Sequence, residues 1–249
     1  MDAQGKAAPF MITGKKQEAL IFVHGFTASP SEILPTAVLL NELGDVTVKG
    51  VLLPGHGKQP EDLNRTGWLD WSQAVNSECL LLLEEYRRVF VAGLSMGGML
   101  ALYAGLQVKG LSGVISINAP FLVKDSRGIV WTRFLKYWRP YWPKDSIDYQ
   151  LRQAGRYALD CYPLKAMDSM WKLRKMLIKQ MPALKLPVLA IQSLMDESVS
   201  PASADFIAQI CKKAPVRKVE LPHSQHVATM GSEKEKIAAE ILRFISNNL

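Results

Sequence analysis

Cysteine is scarce in this chain. Cys79, Cys161 and Cys211 are the three in 249 residues, an odd number with no metal-ligand spacing. That argues against a disulfide framework and against a zinc centre, and it reads as reduced thiols packed as small apolar groups inside a cell. None of the three lies in a turn that would present a nucleophile. Long apolar runs are also lacking. No stretch approaches the ~18 uninterrupted apolar residues of a membrane span, because His24, Pro54 and Gly93 interrupt the most apolar segments. Residues 1–10 hold no run suited to a signal peptide. These absences lead us to expect a soluble, cytoplasmic protein. There is no internal repeat and no low-complexity tract.

What is present is an ordinary globular composition, 48% hydrophobic and 21% charged, in a chain long enough to bury a large core as one α/β domain with an insertion. The net charge is +7. Its distribution is uneven: Pro120 to Lys185 holds 14 Lys and Arg against five Asp and Glu, and the remainder is slightly acidic. A positive excess confined to one internal segment, without any recognised motif, does not read as a nucleic-acid binder.

Short apolar runs at Leu20–Val23, Val46–Leu53, Val89–Ala92, Leu111–Ile117, Val188–Ile191 and Val216–Leu221 predict strands. Helical spacing predicts helices over Ser31–Leu43, Trp68–Tyr86, Met96–Gln107, Ser203–Cys211 and Glu233–Ser246. Strands alternating with helices imply a mostly parallel sheet covered on both faces. In such sheets ligands sit beyond the carboxyl ends of the strands, which is where the unusual residues of this sequence fall. Residues 121–185 break the rhythm with four of the six tryptophans and with Pro140, Pro143, Pro163 and Pro182. We expect a mostly helical insertion there, between core segments 1–120 and 186–249.

Gly93-Leu94-Ser95-Met96-Gly97 fits Gly-x-Ser-x-Gly, with a strand pattern before it and a helix pattern after it. A sharp strand-to-helix turn would expose the Ser95 hydroxyl above the sheet at a helix N-terminus, which favours developing negative charge. Small residues two before and two after it prevent clashes. The Met96 N–H can point into the same space as an oxyanion donor. A glycine-rich turn with a capping serine is the plain alternative. A serine hydroxyl is a weak nucleophile and needs a base. The chain has four histidines: His24, His56, His223 and His226.

Taken in order, His24-Gly25-Phe26-Thr27, Pro54-Gly55-His56-Gly57, Gly93-Leu94-Ser95-Met96-Gly97-Gly98, the Asp196 loop and the His226 loop resemble the small bacterial carboxylesterases and monoacylglycerol lipases of the α/β-hydrolase fold. The resemblance covers nearly the whole chain. One departure is Gln225, where relatives usually carry glycine before the histidine. The family's order of nucleophile, acid and histidine implies Ser95 as nucleophile, Asp196 as the orienting acid and His226 as general base. His223 and His226 alone lie beyond Ser95, in the loop after the last strand, and His226 is the preferred one. A metal site from His223 and His226 lacks companion ligands. Asp196 is preferred to Glu197 because Asp-x-x-Val-x-Pro is the usual form of that loop in the family. The resemblance also implies a second oxyanion N–H from Phe26, with His24 bracing its loop and His56 in a structural turn.

The implied function is that of a serine carboxylic-ester hydrolase. It would act through an acyl-serine on short- to medium-chain esters or monoacylglycerols, with no metal or organic cofactor. A thioesterase or other acyl-transfer hydrolase on the same triad is the alternative, with a non-catalytic ligand-binding protein of the same fold behind it. The insertion is expected to form a lid, with Trp131, Phe134, Trp138 and Trp142 lining a substrate pocket. Arg133, Lys136 and Arg139 are interleaved with them. Such a basic aromatic surface would also suit contact with anionic lipid.

Overall fold

The computed structural model describes residues 7–125, 132, 134–144 and 149–248. Among these, seven strands form one sheet in the order β1-β3-β2-β4-β5-β8-β9. The strands are β1 (Phe10–Ile12), β2 (Glu18–Val23), β3 (Thr47–Val51), β4 (Arg88–Leu94), β5 (Gly113–Ile117), β8 (Val188–Ser193) and β9 (Val216–Leu221). All neighbours pair in parallel except β1, which runs antiparallel to β3. Parallel strands need crossovers, and the helices supply them. These are α1 (Leu34–Gly44), α2 (Pro60–Asn64), α3 (Trp68–Glu85), α4 (Met96–Gln107), α5 (Tyr149–Gln153), α6 (Leu164–Gln180), α7 (Ser203–Ile210) and α8 (Lys234–Asn247).

The central strands read as continuous apolar runs because both faces are covered. Along β2, Leu20 and Phe22 pack on one side with Phe90, Ala92, Ile241 and Phe244. Ala19, Ile21 and Val23 pack on the other with Val89, Val91, Trp71 and Leu100. This is the two-residue alternation of a strand sorting side chains between two cores. Each fully buried Leu or Phe contributes about 1.5–3 kcal/mol, so the two layers fix the sheet's register. α8 buries Ile237, Ala238, Ile241, Phe244 and Ile245, one stripe of an otherwise polar helix. α4 is buried on nearly every side, from Met96 to Ala104, and it holds the Ser95 turn against the middle of the sheet.

The segment between β5 and β8 differs from expectation. α6 carries Leu173 and Leu177 fully buried in the same core as α3 and α4. Ahead of it, β6 (Tyr141–Pro143) and β7 (Cys161–Pro163) form a small antiparallel pair. Prolines in both strands disguised them as loop. Cys79 and Cys211 are buried, Cys161 is half-buried, and all three are free thiols. Burial pushes Cys79 up to about 12 and Cys211 to about 11, which makes both poor nucleophiles. Among the described residues no helix is long and apolar enough to cross a membrane.

Candidate active site

The chain leaves β4 at Leu94 and enters α4 at Met96, so Ser95 takes the whole reversal. Its backbone sits at φ 57°, ψ −118°, a region that L-residues avoid at a cost of ~1–3 kcal/mol. The turn is tight because the flanking glycines let backbones touch. A Cβ on Gly93 would lie 2.1 Å from the Gly97 carbonyl carbon, and one on Gly97 would lie 2.2 Å from the Val23 oxygen. The Ser95 N–H donates to the Ile117 carbonyl at 2.8 Å, tying the turn to β5.

β8 and β9 end beside this turn. Ser95 Oγ lies 2.9 Å from His226 Nε2, and His226 Nδ1 lies 2.7 Å from Asp196 Oδ2. The structure thus brings together three residues separated by 101 and 30 positions in the chain. Asp196 is fully buried. Its other oxygen accepts the N–H groups of Ser198 and Val199 at 2.9 and 2.8 Å, so the carboxylate cannot rotate away. Glu197 instead accepts the backbone N–H of His226 at 3.2 Å. Burial alone would depress His226, but the hydrogen bond and charge of Asp196, with Glu197 and Glu32 beyond, outweigh it and raise its pKa. Gln225 is not among the left-handed residues, so this loop needs no glycine before the histidine. His223 is exposed, and its backbone N–H donates to Glu233.

The Gly25-Phe26-Thr27 loop lies against the same turn. A Cβ on Gly25 would meet Glu32 Oε1 at 2.9 Å and Ser95 Cβ at 3.4 Å. Among the described residues the N–H groups of Phe26 and Met96 have no acceptor, and Phe26 lines the cavity in which Ser95 opens. His24 is buried. It donates from Nδ1 to the Gly25 carbonyl at 2.9 Å and accepts the Leu53 N–H on Nε2 at 3.2 Å. This is the neutral tautomer of a bracing residue, and burial lowers its pKa. His56 is buried edge-on to His24, Phe26 and Trp71.

Two positioning residues escaped sequence reasoning. Asn118 stands at φ 48°. It donates to the His226 carbonyl at 2.8 Å and to Ser193 Oγ at 2.9 Å, and it accepts the Ser193 N–H at 2.8 Å. It therefore ties the ends of β5 and β8 to the histidine loop. Glu32, also buried, accepts the Gly25 N–H at 2.6 Å on one oxygen. Its other oxygen meets Arg156 Nε and Nη2, both at 3.0 Å. The signals were faint: an Asn-Ala-Pro strand end and an acidic first turn.

Ser95 and His226 open into a cavity of about 760 Å³. Its lining mixes apolar side chains, Val123, Leu135, Leu164, Met167, Met170 and Trp171 among them, with Thr27, Glu32, Lys124, Asp125, Lys144, Arg156 and Glu197. Trp142 lines the cavity. Phe134 and Trp138 do not; they are 61% and 87% exposed. The expectation that they form the substrate pocket is corrected: the inward positions of that turn are Thr132 and Leu135. Trp131 and Arg133 lie outside the described residues. Among those described, no group of three or more His, Cys, Asp or Glu side chains could hold a metal ion.

A buried carboxylate, an imidazole and a serine hydroxyl in one hydrogen-bonded line, on a strand-to-helix turn of a parallel sheet, define the serine hydrolase type of site. The chain belongs to the alpha/beta hydrolase family, whose model matches residues 20–240. It is 29% identical over 236 residues to the thermostable monoacylglycerol lipase of Bacillus sp. (strain H-257), covering 92% of this chain and 90% of that one. It is 24% identical over 238 residues to a carboxylesterase of Bacillus subtilis (strain 168), covering 95% of each. Among solved structures it resembles one from work on LipS and LipT, two metagenome-derived lipolytic enzymes. That likeness has a TM-score of 0.88 and 27% identity, over 97% of this chain and 98% of that one.

Proposed function

We propose that the protein is a serine carboxylic-ester hydrolase acting on short- to medium-chain esters or monoacylglycerols. The observation that carries this reading is the unbroken line from Asp196 through His226 to Ser95, opening on a cavity lined in part by apolar side chains. His226 takes the Ser95 proton as Oγ attacks the ester carbonyl. Asp196 keeps the imidazole in the Nδ1–H tautomer and stabilises the imidazolium. The Phe26 and Met96 N–H groups receive the oxyanion; losing one such donor costs about 2.7–4 kcal/mol in a comparable site. His226 then protonates the departing alcohol, leaving an acyl-serine. A water deprotonated by His226 releases the acid. Measuring p-nitrophenyl esters from acetyl to palmitoyl, with 1-monoacylglycerols alongside, in wild type and Ser95→Ala tests this. Activity lost in the variant, with an optimum in chain length, is expected; wild type inert on every ester would overturn it.

Residues 121–185, of which Val123, Trp142, Leu164 and Trp171 line the cavity, serve as its cap. Its outer face carries Phe134, Tyr137 and Trp138, all strongly exposed, and such rings suit a lipid–water boundary. Two of its cations are engaged: Lys136 pairs with Asp168 at 2.6 Å, and Arg139 lies 4.8 Å over the Trp142 ring. Contact with lipid therefore rests on the aromatic rings more than on charge. Vesicle pelleting checks this. Phe134→Ser with Trp138→Ser should release the protein from neutral and anionic vesicles alike, and undiminished pelleting would remove the idea. Three free thiols suit a reducing compartment, and we read the protein as cytoplasmic.

A further inference from the structure

The cavity contains a feature that ester hydrolysis by itself does not require. Lys144 reaches in from the loop after β6 and donates from Nζ to Thr27 Oγ1 at 2.7 Å. Thr27 directly follows Phe26, so this ammonium stands next to the loop that faces the reacting carbonyl. Lys144 Nζ also lies 5.3 Å from the centre of the Tyr162 ring. Its backbone N–H donates to the Asp160 carbonyl at 3.0 Å. Among the described residues no carboxylate pairs with it. Glu32, which also lines the cavity, is held by Arg156 and by the Gly25 N–H. Lys124, Asp125 and Glu197 also line the cavity, and Glu197 accepts the His226 N–H, so Lys144 stands out as a lining cation whose Nζ meets a hydroxyl rather than a carboxylate.

Burial of a lysine without a paired carboxylate is costly. Here burial, helped by the charge of Arg156, brings the ammonium down to about 8. It remains charged at neutral pH. An ammonium has three donors and a guanidinium five. One of Lys144's is placed on Thr27, and two of Arg156's are placed on Glu32. The remaining donors suit a ligand with several acceptor oxygens and a negative charge. The apolar lining residues Leu135, Met167, Met170 and Trp171 are where methylenes gain most from leaving water. They suit the acyl chain and leave the alcohol portion of the ester for Lys144.

We propose that Lys144 and Arg156 form an anion subsite, and that the preferred esters carry a phosphate or carboxylate on their alcohol portion. This rests on the ester-hydrolase reading and names the substrate class of the same site. A charge-assisted pair of this kind is worth about 10- to 100-fold in binding.

The test compares kcat/KM for three soluble dodecanoyl esters below their aggregation concentrations: 1-dodecanoyl-glycerol, 1-dodecanoyl-glycerol-3-phosphate and O-dodecanoyl-glycolate. Wild type should favour at least one anionic ester over the neutral one, and the arm that wins tells phosphate from carboxylate. In Lys144→Met the anionic-to-neutral ratio should fall about tenfold or more, and Lys144→Arg should restore much of it. Lys144→Gln replaces the methionine variant if that protein does not fold, and labelling of Ser95 by a fluorophosphonate checks that the site is intact. Wild type that prefers the neutral ester, or a ratio unmoved by loss of the lysine, overturns the subsite while leaving ester hydrolysis standing. Wild type inert on all three esters and on p-nitrophenyl butyrate overturns both.

Discussion

Replacing Ser95 by glycine should stabilise the fold relative to replacing it by alanine, although both changes remove the same hydroxyl. Ser95 is held at φ 57°, ψ −118° by the reversal from β4 to α4. Alanine keeps a Cβ in that conformation and keeps its cost of ~1–3 kcal/mol. Glycine adopts it freely but loses ~0.5–1 kcal/mol more chain entropy on folding. The hydrogen bond to His226 disappears from both. The net advantage of Ser95→Gly over Ser95→Ala is therefore up to about 2.5 kcal/mol, centred near ~1 kcal/mol. In a chain of this length that centre is a Tm difference of ~2–4 °C. Urea denaturation and differential scanning calorimetry of the two variants read it directly. Both variants should lose turnover by roughly 10^4–10^6, so the comparison isolates backbone energy. Ser95→Ala melting at or above Ser95→Gly would refute the claim that the turn stores strain to expose its hydroxyl.

Other outcomes follow from the same geometry. Asn118→Ala leaves the His226 carbonyl and the Ser193 N–H without their partner, at about 1–3 kcal/mol each. Stability should fall, and kcat/KM with it, because the base loop loses its tether; full activity on a p-nitrophenyl ester would remove Asn118 from the positioning set. Gly97→Ala places a methyl 2.2 Å from the Val23 oxygen, and chemical unfolding should register a loss of ~3 kcal/mol or more. The base works as neutral imidazole, and Asp196 raises its pKa, so the acidic limb of the kcat/KM profile should fall above 6.5 and move lower in Asp196→Asn. The stability side has the matching sign. The pair's contribution is complete below the unfolded value and fades as pH rises through the raised folded one, so Asp196→Asn should destabilise more at pH 6 than at pH 8. A limb that stays in place in Asp196→Asn would count against Asp196 as the group that raises His226.

Much of the fold was legible because both faces of the sheet are covered. The four-residue run Leu20–Val23 and the run at Val188–Ile191 advertise buried parallel strands without knowledge of their neighbours. Met96–Gln107 was legible to the residue, since a turn glycine motif marks its start. β1 escaped because three residues carry no period, and it is pinned by packing instead: Phe10 fills the space that a side chain at Gly50 would need. β6 and β7 escaped because Pro143 and Pro163 argue against strands that only a partner can stabilise. At the site, the turn motif around Ser95 and the family resemblance for Asp196 and His226 pointed to three residues that stand in one hydrogen-bonded line. Phe134 and Trp138 were misplaced because aromatic content does not reveal which side chains face inward; Leu135, between them, lines the cavity. Lys144, Arg156, Glu32 and Asn118 gave little signal, since most of the contacts that define their roles join parts of the chain more than seventy residues apart.

The order of strands has a kinetic consequence. Ser95 follows β4, Asp196 follows β8 and His226 follows β9, and these three are separated in the sheet only by β5. The three residues of the hydrogen-bonded line therefore meet only after the late third of the chain has paired in parallel with the middle, which is slow, non-local work. Helices can form long before that. Far-ultraviolet circular dichroism should thus recover ahead of turnover when the denatured protein is returned to buffer. Turnover is then a reporter of completed sheet assembly, silent in every species where β8 has yet to dock on β5.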